Sequence, residues 1–224
     1  MVHRPHLLKS SLRRPLSRLP WLIAAGVSGI AYAVALFCVL SALHPLRLPD
    51  RAASFAVTVV ADDDSPIRSF PDENGVWRYP VTLTEVSPLY VEALINYEDR
   101  YFRVHPGINP LALCRAFMQL VKSGRLVSGG STLTMQVARI LHPHPRTLAG
   151  KLTQMFRALQ LETRFSKPEI LTHYLNYAPF GGPIEGVQAA SFAYLGKSAK
   201  ALTHAEAALL AVLPQSPTRL PASE

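Results

Sequence analysis

Cysteine is almost missing from this 224-residue chain, and the two present, Cys38 and Cys114, exclude both a disulfide-dense scaffold and a four-cysteine zinc module. Acidic residues are missing from the first 20 positions, where Arg4, Lys9, Arg13, Arg14 and Arg18 stand. The net charge of +8 is therefore largely an end effect, since the remaining residues carry 18 cations against 15 anions. A uniformly basic nucleic-acid-binding face is excluded on that ground, and no nucleic-acid partner is expected. No serine is followed three residues later by lysine, no G-x-S-x-G elbow occurs, and the G-K-[ST] ending of a P-loop is absent. Those gaps remove a penicillin-reactive serine, a hydrolase nucleophile elbow and a mononucleotide loop. Internal repeats and low-complexity tracts are lacking too, while a 49% hydrophobic content argues against disorder. At roughly 150 residues per domain, the length allows one catalytic unit and not two.

Charge is absent for 23 positions over residues 21–43, WLIAAGVSGIAYAVALFCVLSAL. As a helix this run is long enough for a hydrocarbon core of about 30 Å, and too long for the apolar stretch of a cleaved signal peptide. The five preceding cations, against Arg47 and Asp50 beyond it, place the N-terminus in the cytoplasm and the body outside. Cys38 falls inside the span and Cys114 inside a predicted helix, so no disulfide between them is expected.

Four regions follow: a cytoplasmic basic tail (1–20), a transmembrane signal anchor (21–43), a short β-rich linker (50–84) and a helical domain (85–224). SFAVTVV and GVWRYPV read as short strands, separated by the turn chemistry of DDDSP and PDENG. The run Asp62-Asp63-Asp64 lacks the glycine and distal glutamate of a calcium loop and reads as a solvated turn. Helix starts are explicit at Ser87-Pro88 and Asn109-Pro110, and capping boxes occur at Ser166-x-x-Glu169 and Thr203-x-x-Glu206. Leu152, Met155, Phe156 and Leu159 recur at helical spacing and are expected to face the core.

Two stretches could carry chemistry. Residues 97–107, YEDRYFRVHPG, set two carboxylates, two arginines and a histidine among aromatics at a helix end, where burial can produce a general base. A solvated helix end is the alternative. Residues 128–136, SGGSTLTMQ, deliver hydroxyls and backbone amides to the start of a helix running to Leu141, a geometry suited to anions, with a plain capped turn as the alternative. Arg139, Arg146, Lys151 and Arg157 follow, able to neutralise an anionic ligand or merely to coat a helix. His142 and His144 flank Pro143, but no third ligand has metal spacing.

In this order the motifs resemble the peptidoglycan glycosyltransferase domain, glycosyltransferase family 51, of class A penicillin-binding proteins, over about residues 85–221. EDRYFRVHPG resembles the family's E-D-x-x-F-x-x-H-x-G, and GGSTLTMQVAR its G-x-S-T-I-T-Q-Q-x-x-K. KPEILTHYLN, FGGPIEGVQAASFAYLGK and EAALLAVLPQSP resemble its distal region. The TMQ spelling, GVWRYPV and YAPFGG are most similar to the 1C type.

The resemblance implies a mainly α, lysozyme-like helical glycosyltransferase domain that polymerises glycan chains from lipid II, inverting the anomeric carbon and releasing undecaprenyl pyrophosphate. It implies a single-pass protein of the bacterial inner membrane, active on the outer or periplasmic face, with the growing glycan, the membrane and other cell-wall synthesis proteins as partners. No cofactor is required, although a divalent cation such as Mg2+ could accompany the pyrophosphate. Glu98 matches the essential base. Asp99, Phe102, His105, Ser131, Thr132, Gln136, Arg139 and Lys151 match substrate-binding positions, Arg139 standing where the family usually has lysine. Gln154 replaces the carboxylate of the family's R-K-x-x-E motif, and the chain stops before a fifth motif, R-x-x-x-V-L, so a C-terminally truncated domain without a transpeptidase is expected. A non-catalytic module that binds lipid-linked precursor, and a lysozyme-like glycan-cleaving enzyme, stay open beside polymerisation.

Overall fold

The computed structural model describes residues 19–46, 48, 55–60, 62, 66–123 and 130–215. The basic tail up to residue 18, Asp63, Asp64, Ser128, Gly129 and the last nine positions lie outside them. The chain divides into two compact units, Met1–Leu46 and Arg47–Glu224. In the first, helix α1 (Leu19–Leu43) carries the uncharged run, and Ile23–Leu43 is long and apolar enough to cross a membrane.

The second unit is mostly helical. It opens with an antiparallel hairpin of β1 (Val57–Val60) and β2 (Pro66–Phe70), pairing Val57 with Phe70 and bulging at Val59/Val60. PDENG is the expected turn: Asp72 Oδ1 accepts from the amides of Asn74 and Val76, and Gly75 takes φ +75. GVWRYPV departs from expectation. Among the described residues it forms one bridge, Trp77 to Ile184, and its backbone is shared between the two regions: Trp77 bonds to Pro183 and Glu185 of the helical domain, while Val76 and Arg78 accept from the linker amides of Asp72 and Ala56.

That domain comprises α2 (Pro88–Glu98), α3 (Pro110–Ser123), α4 (Leu133–Leu141), α5 (Leu148–Arg164), α6 (Lys167–Tyr177), a β3–β4 hairpin (Pro179–Gly181, Ile184–Glu185), α7 (Val187–Leu195) and α8 (His204–Val212). Helix α2 packs on α8, and α4 on α5 and α6. Tyr90, Leu94, Met135, Leu161, Ile170, Tyr174 and Leu210 fill the core. Glu169 and Glu206 reach back to the amides of Ser166 and Thr203, as capping boxes require, and Asn109 Oδ1 caps α3 through Ala112. Ser87 differs: its hydroxyl donates to the carbonyl of Leu202 and ties α2 to the α8 approach.

The expected core face of α5 is wrong. Leu152 is 67% exposed and Met155, Phe156 and Leu159 are only half-buried. The buried stripe is Gly150, Gln154, Ala158 and Leu161. A Cβ at Gly150 would collide with the carbonyl oxygen of Pro145 in the preceding turn, and Gln154 makes the hydrogen bond from this stripe to α4. Hydrophobic periodicity marks where large apolar groups lie, and here that stripe, apart from Leu161, is offset from the buried face.

The linker is tied to the domain at two buried points. Arg78, 3% exposed, pairs with Glu185 at 2.5 Å and lies over the ring of Tyr177. Asn176 accepts from the Val81 amide and donates to the Val81 and Thr172 carbonyls, each at 2.8 Å. Between linker and domain, Trp77, Tyr79, Pro183, Ile184 and Phe192 line an apolar cavity of about 380 Å³. Asn176→Ala strands both backbone groups of Val81. It is expected to cost about 2–3 kcal/mol, read as a lower melting temperature of the chain in detergent. A midpoint equal to wild type would mean that residue 81 is held by other contacts.

Candidate active site

Glu98 is the last residue of α2 and Asp99 its C-cap, so consecutive carboxylates leave the helix in opposite senses. Asp99 turns inward and is 7% exposed. Its carboxylate accepts from the Leu133 amide at 3.0 Å and lies 2.8 Å from His105 Nε2. Glu98 stays half-exposed, and its Oε2 accepts from Gln136 Nε2 at 2.6 Å. One buried carboxylate thereby locks the helix end while its neighbour faces outward, held by an amide from α4.

The start of α4 is equally constrained. Thr132 Oγ1 accepts from the Met135 amide, as an N-cap should, and donates to the carbonyl of Gly107 at 2.5 Å. Gly107 needs its residue type: φ is +81, and a Cβ would meet Glu162 Cγ at 2.8 Å. Thr132, Gln136 and Arg139 fall on one side of α4 by helical spacing. The half-buried Ser131 accepts from Lys151 Nζ at 2.5 Å.

Lys151, in the first turn of α5, also donates to Gln154 Oε1 at 3.2 Å. Burial, and secondarily the Arg139 charge, hold its ammonium below the ordinary lysine range. Gln154 is 4% exposed and donates through Nε2 to the Met135 carbonyl at 2.6 Å. The structure thus brings Glu98 with Gln136, Asp99 with His105, and Ser131 with Lys151 and Gln154, all through α4. Glu98, Ser131, Gln136, Arg139 and Lys151 remain half-exposed, whereas Asp99, Phe102, His105, Thr132 and Gln154 are buried.

The other cations do not join this group. Arg146 is exposed, and Arg157 donates to Gln160. His144 Nδ1 lies 2.9 Å from the His142 carbonyl, and burial, then the Arg157 charge, lowers the His142 pKa. Among the described residues no three His, Cys, Asp or Glu side chains converge as metal ligands.

A bracing network escaped the sequence reading. Lys167 Nζ donates to the His105 carbonyl and to Glu162 Oε1, both at 2.7 Å, and lies 4.5 Å from the centroid of the buried Phe102 ring. Thr134 Oγ1 donates to the same Glu162 oxygen at 2.5 Å. The start of α6, the end of α5 and α4 thereby converge on the loop that follows Glu98. Lys167 opens the KPEILTHYLN segment, but nothing in the sequence pairs it with Glu162 or aims it at the loop after Glu98.

Residues 63–224 match the family described as Transglycosylase. The chain is 61% identical over 173 residues to penicillin-binding protein 1C of Escherichia coli, covering 77% of this chain and 22% of that protein. It is 36% identical over 162 residues to penicillin-binding protein 1A of Pseudomonas aeruginosa, covering 72% and 19%, and 37% over 161 residues to penicillin-binding protein 1F of Bacillus subtilis, covering 71% and 22%. The chain spans 19–22% of the length of these relatives.

Proposed function

The chain belongs to the transglycosylase family of the penicillin-binding proteins, and we propose that it polymerises peptidoglycan glycan chains from lipid II. The observation that supports this most is a half-exposed carboxylate and a cationic group held at the same short helix, Glu98 by Gln136 of α4 and Lys151 by Ser131 just before its N-cap and by Gln154, which is bonded to Met135 of α4. Inverting transfer needs both. Glu98 takes the proton from the acceptor sugar hydroxyl as that oxygen attacks the anomeric carbon of the donor. The bond from that carbon to the lipid pyrophosphate breaks with its electron pair, and Lys151, Arg139 and the Ser131 hydroxyl stabilise the departing charge. The buried Asp99, Phe102, His105, Thr132 and Gln154 act by holding these groups in place. Glycan cleavage, which one carboxylate would also suit, has no use for the cations. Incubating the chain in detergent with lipid-linked disaccharide tests the reading: polymer supports it, and unconsumed substrate at saturating concentration opposes it.

In this reading α1 anchors the chain once in the bacterial inner membrane, N-terminus inside and body outside, where other cell-wall synthesis proteins can join it. A polyprenyl substrate requires the body itself to meet the bilayer. Leu111, Met118 and Val121 expose one apolar face of α3, at 78%, 56% and 69%. Protein lacking residues 1–44 is expected to bind anionic phospholipid vesicles, and the triple change Leu111→Ser, Met118→Ser, Val121→Ser to weaken partitioning on the order of tenfold or more. Equal sedimentation of both proteins with vesicles would remove α3 from the membrane surface.

A further inference from the structure

We propose that Gln154 is a positioning residue whose neutral amide fixes Lys151 beside Ser131 without cancelling its charge, so that the cation is kept whole for an anionic leaving group. The inference deepens the glycan-polymerase reading and rests on it for the identity of that group. Its geometric basis is that both ends of a buried amide are spent on different partners. Nε2 donates to the Met135 carbonyl of α4 at 2.6 Å, and Oε1 accepts from Lys151 Nζ at 3.2 Å. Only a side chain with a donor and an acceptor satisfies both. A carboxylate would serve the lysine but press an oxygen against the Met135 oxygen, with no water to separate them at 4% exposure.

The electrostatic surroundings agree. Helix α4 brings one charged side chain, Arg139, which repels the Lys151 ammonium. The turn before α5 brings His142, His144 and Arg146, and α5 itself Arg157 and Arg164. The carboxylate of α5, Glu162, is committed to Thr134 and Lys167. On α6, Lys167 is so engaged and Glu169 closes its own capping box beside His173. No carboxylate within hydrogen-bond or ion-pair distance of Lys151 occurs among the described residues, so its neighbours hold the amine in place without neutralising it.

The test reads Lys151 directly, by the pH dependence of its acylation with limiting acetic anhydride, quantified by mass spectrometry on the full chain in detergent. In Gln154→Glu the added charge is expected to raise the apparent pKa of Lys151 by about one unit. In Gln154→Met, which adds no charge and removes the tether, the pKa is expected not to rise, while the deprotonated amine acylates severalfold faster as it leaves Ser131. Inorganic pyrophosphate is expected to slow acylation of the wild-type amine and to protect the Gln154→Glu chain at least threefold less. An unchanged titration in the Gln154→Glu chain, a wild-type acylation rate in the Gln154→Met chain, or pyrophosphate protection that is absent from wild type or equal in wild type and Gln154→Glu overturns the assignment. The methionine variant keeps the test decisive where the buried carboxylate prevents folding. Neither readout needs turnover, so a failure to make polymer counts against the polymerase reading alone.

Discussion

Glu98→Gln is expected to lower glycan polymerisation by about 10²- to 10⁴-fold, the usual worth of a positioned general base. The geometry makes the substitution unusually clean. Glu98 accepts from Gln136 Nε2 through one oxygen, and the carbonyl of a glutamine at the same place can accept the same bond. Asp99, which locks the end of α2 through Leu133 and His105, is left untouched. The helix end and the cationic group should keep their places while the proton acceptor is lost. The fall is expected in kcat, with KM for lipid II little changed, because the interaction removed is made in the transition state. Product analysis over a range of lipid II concentrations checks this. Polymer at the wild-type rate would assign the proton transfer to another group and leave Glu98 as a helix-end charge.

Much of the architecture was legible in the residues because it is written in local chemistry. A charge-free run, a proline after a capping residue and a glutamate three residues past a serine each satisfy a backbone or solvation requirement within one turn. The boxes at Ser166 and Thr203 and the cap at Thr132 follow from that logic. What stayed hidden depends on partners distant in sequence. Helix α5 meets α4 through Gln154 and packs Gly150 against the Pro145 turn, so its buried stripe is Gly150, Gln154, Ala158 and Leu161, and the spacing of the exposed Leu152 and the half-buried Met155, Phe156 and Leu159 pointed to the wrong face. The segment at Trp77 looked like a strand of the linker, but its bridge partner is Ile184, more than a hundred residues away. Motif order located Glu98, Ser131, Gln136 and Lys151 together. It could not say that Asp99 and Phe102, in the same motif, face the interior, since exposure is decided by α4 and α6 packing over them. Nor could it distinguish Gln154 as a bridge from a lost carboxylate: the Met135 carbonyl that makes an amide the better fit is a backbone atom, invisible in side-chain patterns.

Asp99→Ala is expected to produce the largest loss of stability, about 3–5 kcal/mol, because it breaks a buried charge-bearing pair from one side. Two groups lose their partner at once: the Leu133 amide, which begins α4, and His105 Nε2, which closes the loop after α2. Both are buried, so water does not replace the carboxylate. His105 has little to fall back on, since its Nδ1 is itself buried without a hydrogen-bond partner among the described residues. A chain of this size should then melt on the order of 10 °C lower. Asp99→Asn separates hydrogen bonding from charge. Its Oδ1 can accept from Leu133 while its amide donates to an unprotonated His105 Nε2, which moves the imidazole proton to the unpartnered Nδ1. One buried N–H is then unsatisfied instead of two broken bonds, a cost of about 1–3 kcal/mol. The expected order of melting temperature is wild type, Asn, Ala. Polymerisation assayed well below the lowest midpoint should follow the same order, because the N-terminal end of α4 carries Gln136, and with it the amide that holds Glu98 from across the site. If the alanine chain melts within a few degrees of wild type, the Asp99–His105 contact does not brace the helix end, and the outward placement of Glu98 must come from α2 and α8 packing instead.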